Sequence, residues 1–274
     1  MSSYPICFIL KVMSDTKTKV DYKALALEAR RKILTMIHLA GTSHIASNFS
    51  CTDFATVLYE NLKEEDEVVW SAGWKAASIY YFLAKQGKIP YEDLEKFGKE
   101  IDGKIPYLGL AETNVPGVWV NGGSVGHGLP VAVGMALAKK RAGEEGTIYC
   151  IMSDGELNEG TTWEACLIAS HHKLNNLRVL IDQNGWQAMG RTEDILRDVR
   201  LPLDGQFVDG HNFQDIEDAL LLKHVDTPGY VSVPWKIVFK TVKGKGVSFM
   251  ENHLLYHYKH VEKSEYEKAM AELS

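Results

Sequence analysis

Asp154, Glu156 and Glu159 fall within six positions of the segment IMSDGELNEGTTWEA, residues 151–165. Carboxylates this crowded repel one another unless a positive charge sits among them. A further oxygen-bearing side chain, Asn184, follows thirty residues after Asp154, in LRVLIDQNGWQ. Each stands where an apolar run gives way to a turn. If the two runs are neighbouring strands, about 4.8 Å apart, the charged oxygen of Asp154 and the carbonyl oxygen of Asn184 can share one divalent cation. The turn after Asn184 adds a main-chain carbonyl, that of Trp186. Three oxygens fill about half of an octahedral shell, and diphosphate and water oxygens suit the remainder. A helix starting near Thr161 would add N–H donors facing an anion. The chemistry indicated is a metal-bridged diphosphate. Asp–Gly and Asn–Gly turns taken singly are common; their spacing across one strand–helix–strand unit is the sharper signal.

The elements that must hold these groups can be read from periodicity. TIYCIMSD and LRVLIDQN read as buried strands on either side of the helical TTWEACLIASHHKL, a βαβ unit. Helices are expected over Asp21–Leu39, Thr52–Leu62, Trp74–Lys85, Gly126–Lys140, Asp215–Lys223 and Ser264–Leu273, with further strands in EVVW and PWKIVFKT. The Gly- and Pro-rich stretch 87–123 is expected to be irregular. The pattern predicts an α/β fold, a doubly wound, mainly parallel sheet flanked by helices, with ligands beyond the carboxyl ends of the strands. One domain is expected over residues 20–274. Residues 1–19 are expected to be an extension, within which Met13 offers a second start.

Composition sets the outer limits. Of 274 residues, 45% are hydrophobic and 24% charged, as in ordinary globular proteins. A net charge of −6 argues against nucleic acid or an anionic membrane as main partner. No apolar run approaches the roughly 18 residues of a membrane span. The four cysteines, Cys7, Cys51, Cys150 and Cys166, form no CxxC pair. They read as buried thiols of a reducing, cytoplasmic compartment.

SDGELNEGTTWEA followed by IDQNGWQAMG resembles the thiamine diphosphate motif, Gly-Asp-Gly followed about thirty residues later by Asn. The ordered set GTSHIASNFSCTDFATVLYE, VPGVWVNGGSVGHGLPVAVGMALAKK, HKLNNLRVLIDQN and KTVKGKGVSFMEN is similar to the N-terminal subunit of a split transketolase. The resemblance runs over residues 20–274. It implies thiamine diphosphate and a divalent cation (Mg²⁺, with Ca²⁺ or Mn²⁺ as substitutes), and transfer of a two-carbon ketol unit from a ketose to an aldehyde. By the same resemblance, Asp154, Asn184 and the Trp186 carbonyl hold the metal. Ser153 and Gly155 lie on the diphosphate, and Gly123, Ser124 and Val125 border the cofactor. His44 and His257 face the reacting carbon, and Lys243 of the KGKG loop lies nearby. Glu159 matches the acid that links paired cofactor sites across a dimer. Glu156 is grouped with the cofactor-side residues but expected to face solvent, since two acidic metal ligands from one loop exceed the family pattern.

Several positions depart from that pattern. Trp74, on the cofactor side, replaces the histidine of Ser-Lys-Gly-His. Leu110 stands where Gly-His-Pro is expected. Ser153 replaces the first Gly of the motif, His127 a Gln, and Tyr256 and Tyr258 flank His257 in place of Trp and Gly. The diphosphate site reads as intact and the substrate channel as rebuilt. In the family, the acid that activates the aminopyrimidine belongs to a second domain, which these residues do not contain. The expected partner is therefore a C-terminal transketolase-like subunit carrying a pyrimidine-binding domain, in an α₂β₂ heterotetramer. A two-subunit acyloin synthase using a 2-oxo acid donor, and a non-catalytic scaffold subunit, are the alternatives.

Overall fold

The computed structural model describes residues 20–196, 200–221 and 234–274. The expected N-terminal extension with Met13, Cys7, and the end of the helix expected at Lys223 lie outside these residues. Helices α1 (Tyr22–Ala40) and α2 (Ile45–Asn61) lead into strand β1 (Glu67–Trp70) and helix α3 (Ala76–Lys85). A long stretch follows that is irregular apart from a 3-10 turn at Tyr91–Lys96 and one isolated bridge. Then come α4 (Gly128–Ala142), β2 (Ile148–Ser153), α5 (Gly160–His171) and β3 (Leu177–Gln183). The two-residue strands β4 (Trp186–Gln187) and β5 (Gly190–Arg191) precede the short α6 (Thr192–Ile195). Strand β6 (Asp204–Asp209), α7 (Phe213–Leu221), β7 (Trp235–Lys240) and α8 (Lys263–Glu272) complete the order.

Five strands form one parallel sheet in the order β1-β2-β3-β7-β6. Side chains alternate across a strand, and here both faces are apolar. On β2, Cys150 and Met152 join a core layer with α4 and α5, while Ile151 joins the layer under α1, α2 and α3. On β3, Val179 and Ile181 face the first layer and Leu180 the second. Burial on both faces explains why these strands read as continuous apolar runs. Ser153 stands opposite Asp182, and Gln183 opposite Lys240. The carboxyl ends of β2, β3 and β7 are therefore level, which brings Asp154, Asn184 and Thr241 to one edge.

Two features differ from what the sequence predicts. Helix α2 starts at Ile45, not Thr52, and every residue from Ile45 to Leu58 is buried. Polar residues disguise its first two turns. Inside the fold they are satisfied locally: Thr52 Oγ1 donates to the Asn48 carbonyl (2.9 Å), and Asn48 Oδ1 accepts the Ser78 N–H (2.9 Å). Strand β6 is the second difference. It is an edge strand with mostly exposed side chains, so it carries almost no apolar signal.

Candidate active site

Asp154 and Asn184, the two side chains expected to hold a metal, come to the level ends of β2 and β3. Asp154 opens a 3-10 turn, Asp154–Asn158, directly after β2. Its Oδ2 accepts the Gly185 N–H (2.8 Å) and the Thr192 hydroxyl (3.2 Å). Its Oδ1 is buried and has no hydrogen-bond partner among the described residues. An unpartnered buried carboxylate oxygen is costly. Burial, with the nearby Asp182 charge, pushes the Asp154 carboxyl up to about 7. Asn184 Nδ2 donates to Asp182 (3.0 Å), which turns Oδ1 the other way, where it accepts the Trp186 N–H (3.1 Å). A carbonyl oxygen has a second lone pair, which remains for a cation. Among the described residues no group of three or more His, Cys, Asp or Glu is placed to hold a metal. One carboxylate and neutral oxygens alone make a weak cation site, so the donor set fits a cation that arrives with diphosphate oxygens. Asp154, Asn184, Gly185 and Thr192 line a cavity of about 590 Å³ that also includes Arg191 and Thr241.

Beneath this edge lies a pair of buried charges that sequence reasoning does not find. Lys75, just ahead of α3, and Asp182, near the end of β3, are both fully buried and form an ion pair. Asp182 also accepts from Ser50 Oγ (2.6 Å) and from the Thr241 hydroxyl. Burial alone would raise the Asp182 carboxyl, but the Lys75 ammonium and the two hydroxyls outweigh it and hold it below the usual carboxylate range. A charge inside the apolar run LRVLIDQN is a usable signal for Asp182. Lys75 gives none, because a lysine at a helix start reads as a solvated charge.

Glu156 is corrected by the structure. It is fully buried, not solvent-facing. Its carboxylate accepts from the Ser71 hydroxyl, the Gly126 N–H (3.2 Å) and the Ser153 N–H (2.8 Å). Ser71 Oγ in turn accepts the Gly128 N–H (3.0 Å). Glu156 thus clasps the ends of β1 and β2 to the start of α4, with its oxygens committed to the protein. The loop above is drawn in by glycine contacts. A Cβ on Gly73 would lie 2.2 Å from the Gly122 Cα, and Ala111 N–H donates to the Gly73 carbonyl (3.0 Å). Gly123, Ser124 and Val125 follow at the rim, with Ser124 and Val125 exposed. Gly155 is half-buried at the turn and Ser153 is buried behind it. Glu159 stands at the N-terminal boundary of α5, makes no side-chain capping bond, and packs on Gly126, where φ is +78°. Trp74 is half-buried beside Lys75.

A second cluster gathers His44, His257 and Lys243. His44 precedes α2 in the left-handed region, φ 70°. Its N–H donates to the His257 carbonyl (3.2 Å), and the two rings meet edge-on with centroids 5.1 Å apart. His44 Nδ1 pairs with Ser43 Oγ at 2.7 Å. Lys243 Nζ lies 2.8 Å from His257 Nδ1. An ammonium only donates, so Nδ1 accepts and the proton of the neutral ring resides on Nε2. Burial, then Lys243, holds His44 down at about 4. Burial, Lys243 and His44 hold His257 down at about 3. Both imidazoles are neutral at pH 7. Burial lowers Lys243 to about 8, against the pull of Asp154 and Asp182. The charges of Asp154 and Asp182 thus reach Lys243 of this second cluster. The neighbouring His253 is exposed and caps the turn Leu254–His257.

The model of the transketolase thiamine diphosphate binding domain matches residues 23–269. The chain belongs to the transketolase family. It is 33% identical over 269 residues to one subunit of the apulose-4-phosphate transketolase of Actinobacillus succinogenes, covering 93% of this chain and 96% of that one. It is 30% identical to a 6-deoxy-6-sulfo-D-fructose transketolase subunit of a Clostridium species, covering 94% and 98%. The crystal structure of Campylobacter jejuni transketolase superposes with a TM-score of 0.81 at 26% identity. That match covers 93% of this chain and 43% of the Campylobacter enzyme. This transketolase chain thus corresponds to under half of the solved transketolase and to nearly all of the separate subunits. Among its described residues no helix is long and apolar enough to cross a membrane.

Proposed function

We propose that this chain is the metal- and diphosphate-binding subunit of a two-subunit transketolase that moves a two-carbon ketol unit from a ketose phosphate, or a similarly modified ketose, to an aldehyde. The observation that carries the reading is the Asp154 Oδ1 atom, buried without a partner among the described residues, at the edge where Asn184 Oδ1 keeps a lone pair. Asp154, Asn184 and the Trp186 carbonyl would hold Mg²⁺ against the diphosphate, with Ser153, Gly155 and the loop of Gly123, Ser124 and Val125 bordering the cofactor. Bound thiamine diphosphate supplies an electron sink for breaking and making a carbon–carbon bond.

The protein's own part is positioning and proton handling. Neutral His257 offers Nε2–H to a substrate oxygen, and Lys243 fixes that tautomer. Neutral His44, held across from it, offers a ring nitrogen to position a substrate hydroxyl. The two relatives named as transketolase subunits support a partner for this chain. We assign to that partner the pyrimidine pocket, and to the assembly an α₂β₂ arrangement in which Glu159 lies near its counterpart. Cys51, Cys150 and Cys166 are free buried thiols, which suits a reducing cytoplasm.

The acyloin synthase reading keeps a specific support. Trp74 and Leu110 stand where the resemblance expects sugar-binding histidines. Reconstitution with the partner, thiamine diphosphate and Mg²⁺ separates the readings when a ketose phosphate and pyruvate are offered side by side with one aldehyde. Ketol transfer from the ketose phosphate supports the main reading; turnover of pyruvate alone overturns it. Full turnover by this chain unaided would refute the divided site. A scaffold role would leave cofactor affinity and activity unchanged in Asp154→Ala.

A further inference from the structure

The cation site described above depends on which way the Asn184 amide points. Its oxygen can ligate a cation and its NH₂ group cannot, yet the two ends have nearly the same shape. Rotation by half a turn would place two N–H donors against the cation. The Trp186 N–H, which donates to Oδ1 (3.1 Å), opposes that rotation at the oxygen end, and a second restraint acts at the NH₂ end. Asp182 stands two residues earlier and accepts from Asn184 Nδ2 at 3.0 Å. An ionised carboxylate is an acceptor only, so it tolerates the NH₂ end and rejects the oxygen end.

Asp182 itself is unable to turn. Lys75 Nζ and Ser50 Oγ donate to the same oxygen that Asn184 uses, and the Thr241 hydroxyl donates to the other. These donors come from α2, from the segment before α3 and from the residue after β7, so three elements grip one side chain of β3. Lys75 and Asp182 are both 0% exposed. A buried pair of this kind is weak support for stability, since well-packed apolar residues often do as well. Its presence beneath a ligand site calls for another reason.

We propose that the buried Lys75–Asp182 pair is a positioning device that locks the Asn184 amide with its oxygen toward the divalent cation. This rests on the assignment of Asp154, Asn184 and Trp186 to the metal. Lys75 and Asp182 touch neither cation nor substrate; they act through Asn184. The supporting partners of metal ligands commonly govern metal affinity by about 10–100-fold.

The test is calorimetric titration of Mg²⁺ into the full chain reconstituted with its partner subunit and saturating thiamine diphosphate, beside the melting temperature of the metal-free chain. The double variant Lys75→Met/Asp182→Asn removes both charges together and lets the amide of residue 184 turn. Its Mg²⁺ affinity falls about 10–100-fold. Ser50→Ala keeps both charges and removes one grip on the carboxylate, so it folds under mild perturbation and loses a few-fold in the same direction. A purely structural pair would shift only the melting temperature. Mg²⁺ affinity equal to wild type in either folded variant overturns the proposal. A wild-type complex that takes up no Mg²⁺ with thiamine diphosphate overturns instead the metal assignment on which it rests.

Discussion

Asp154→Asn should stabilise the cofactor-free protein while abolishing its response to the cofactor. The Asp154 carboxyl is 2% exposed and has moved from an ordinary value of 3.8 to about 7. A carboxyl raised on folding gives its full share of stability below 3.8 and loses it as the pH rises through about 7. At pH 8 that loss is about 4 kcal/mol, at 1.36 kcal/mol per pH unit. Asparagine carries no charge, so the loss disappears. Its oxygen can keep the Gly185 and Thr192 bonds, but its NH₂ then replaces the unpartnered Oδ1 and stays unsatisfied, at about 1–3 kcal/mol. The net gain is about 2 kcal/mol, or about 4 °C in melting temperature for a chain of this size. Wild type recovers about 2.7 kcal/mol at a ligand concentration 100-fold above Kd, whereas the variant recovers nothing. The order of the two melting curves therefore inverts when thiamine diphosphate and Mg²⁺ are added at pH 8. As the pH is lowered toward 4, the advantage of the cofactor-free variant shrinks. A variant that melts below wild type without ligand, and still rises with it, refutes the reasoning.

Three further outcomes follow from the same geometry. The imidazoles of His44 and His257, followed by NMR, stay neutral from pH 8 to about 5 and titrate near 4 and 3, and Lys243→Met moves both upward. Their share of stability is whole above 6.5 and is lost as the pH falls toward those folded values, so acid unfolding begins earlier than the carboxylates alone would set it. Glu156→Ala strands the Ser153 and Gly126 N–H groups and the Ser71 hydroxyl, a loss of about 3 kcal/mol or more in urea denaturation. Gly73→Ala forces a methyl to within 2.2 Å of the Gly122 Cα, with an expected loss of about 3 kcal/mol and protease cleavage within 121–126.

The legible part of this molecule is the part whose chemistry interrupts a pattern. Asp154 and Asn184 stand out because each ends an apolar run, and two level strands bring such ends together. His44, Lys243 and His257 are found through resemblance alone; nothing in LLYHYKH separates His257 from its neighbours. Lys75 is invisible for the opposite reason, since its local sequence fits a surface helix start and only the partner on β3 explains its burial. Glu156 misleads because loop carboxylates are usually solvated, and two of the three groups that bury it, on Ser71 and Gly126, come from segments far away in the chain. Helix α2 loses its first turns to Ser and Asn, whose preference for caps is overridden where every side of the helix is packed. The edge strand β6 pairs through its backbone, which leaves no mark in side-chain composition.

Arg30 on α1 forms a bidentate pair with Asp53, at 2.6 and 2.9 Å, and also donates to the Lys245 carbonyl across 215 residues. Asp53 in turn pairs with His211 Nδ1 (2.7 Å), and His211 Nε2 accepts the Val242 N–H (2.8 Å). The loop that presents Lys243 is thus moored to the front of the chain. During synthesis the first helices emerge long before that mooring can be tied, and their Arg30–Asp53 pair waits for His211 and the Lys245 carbonyl. Occupancy of the coenzyme pocket then becomes a readout of completed folding: a nascent or clipped chain lacking its last quarter would present Asp154 and Asn184 without Lys243 and His257.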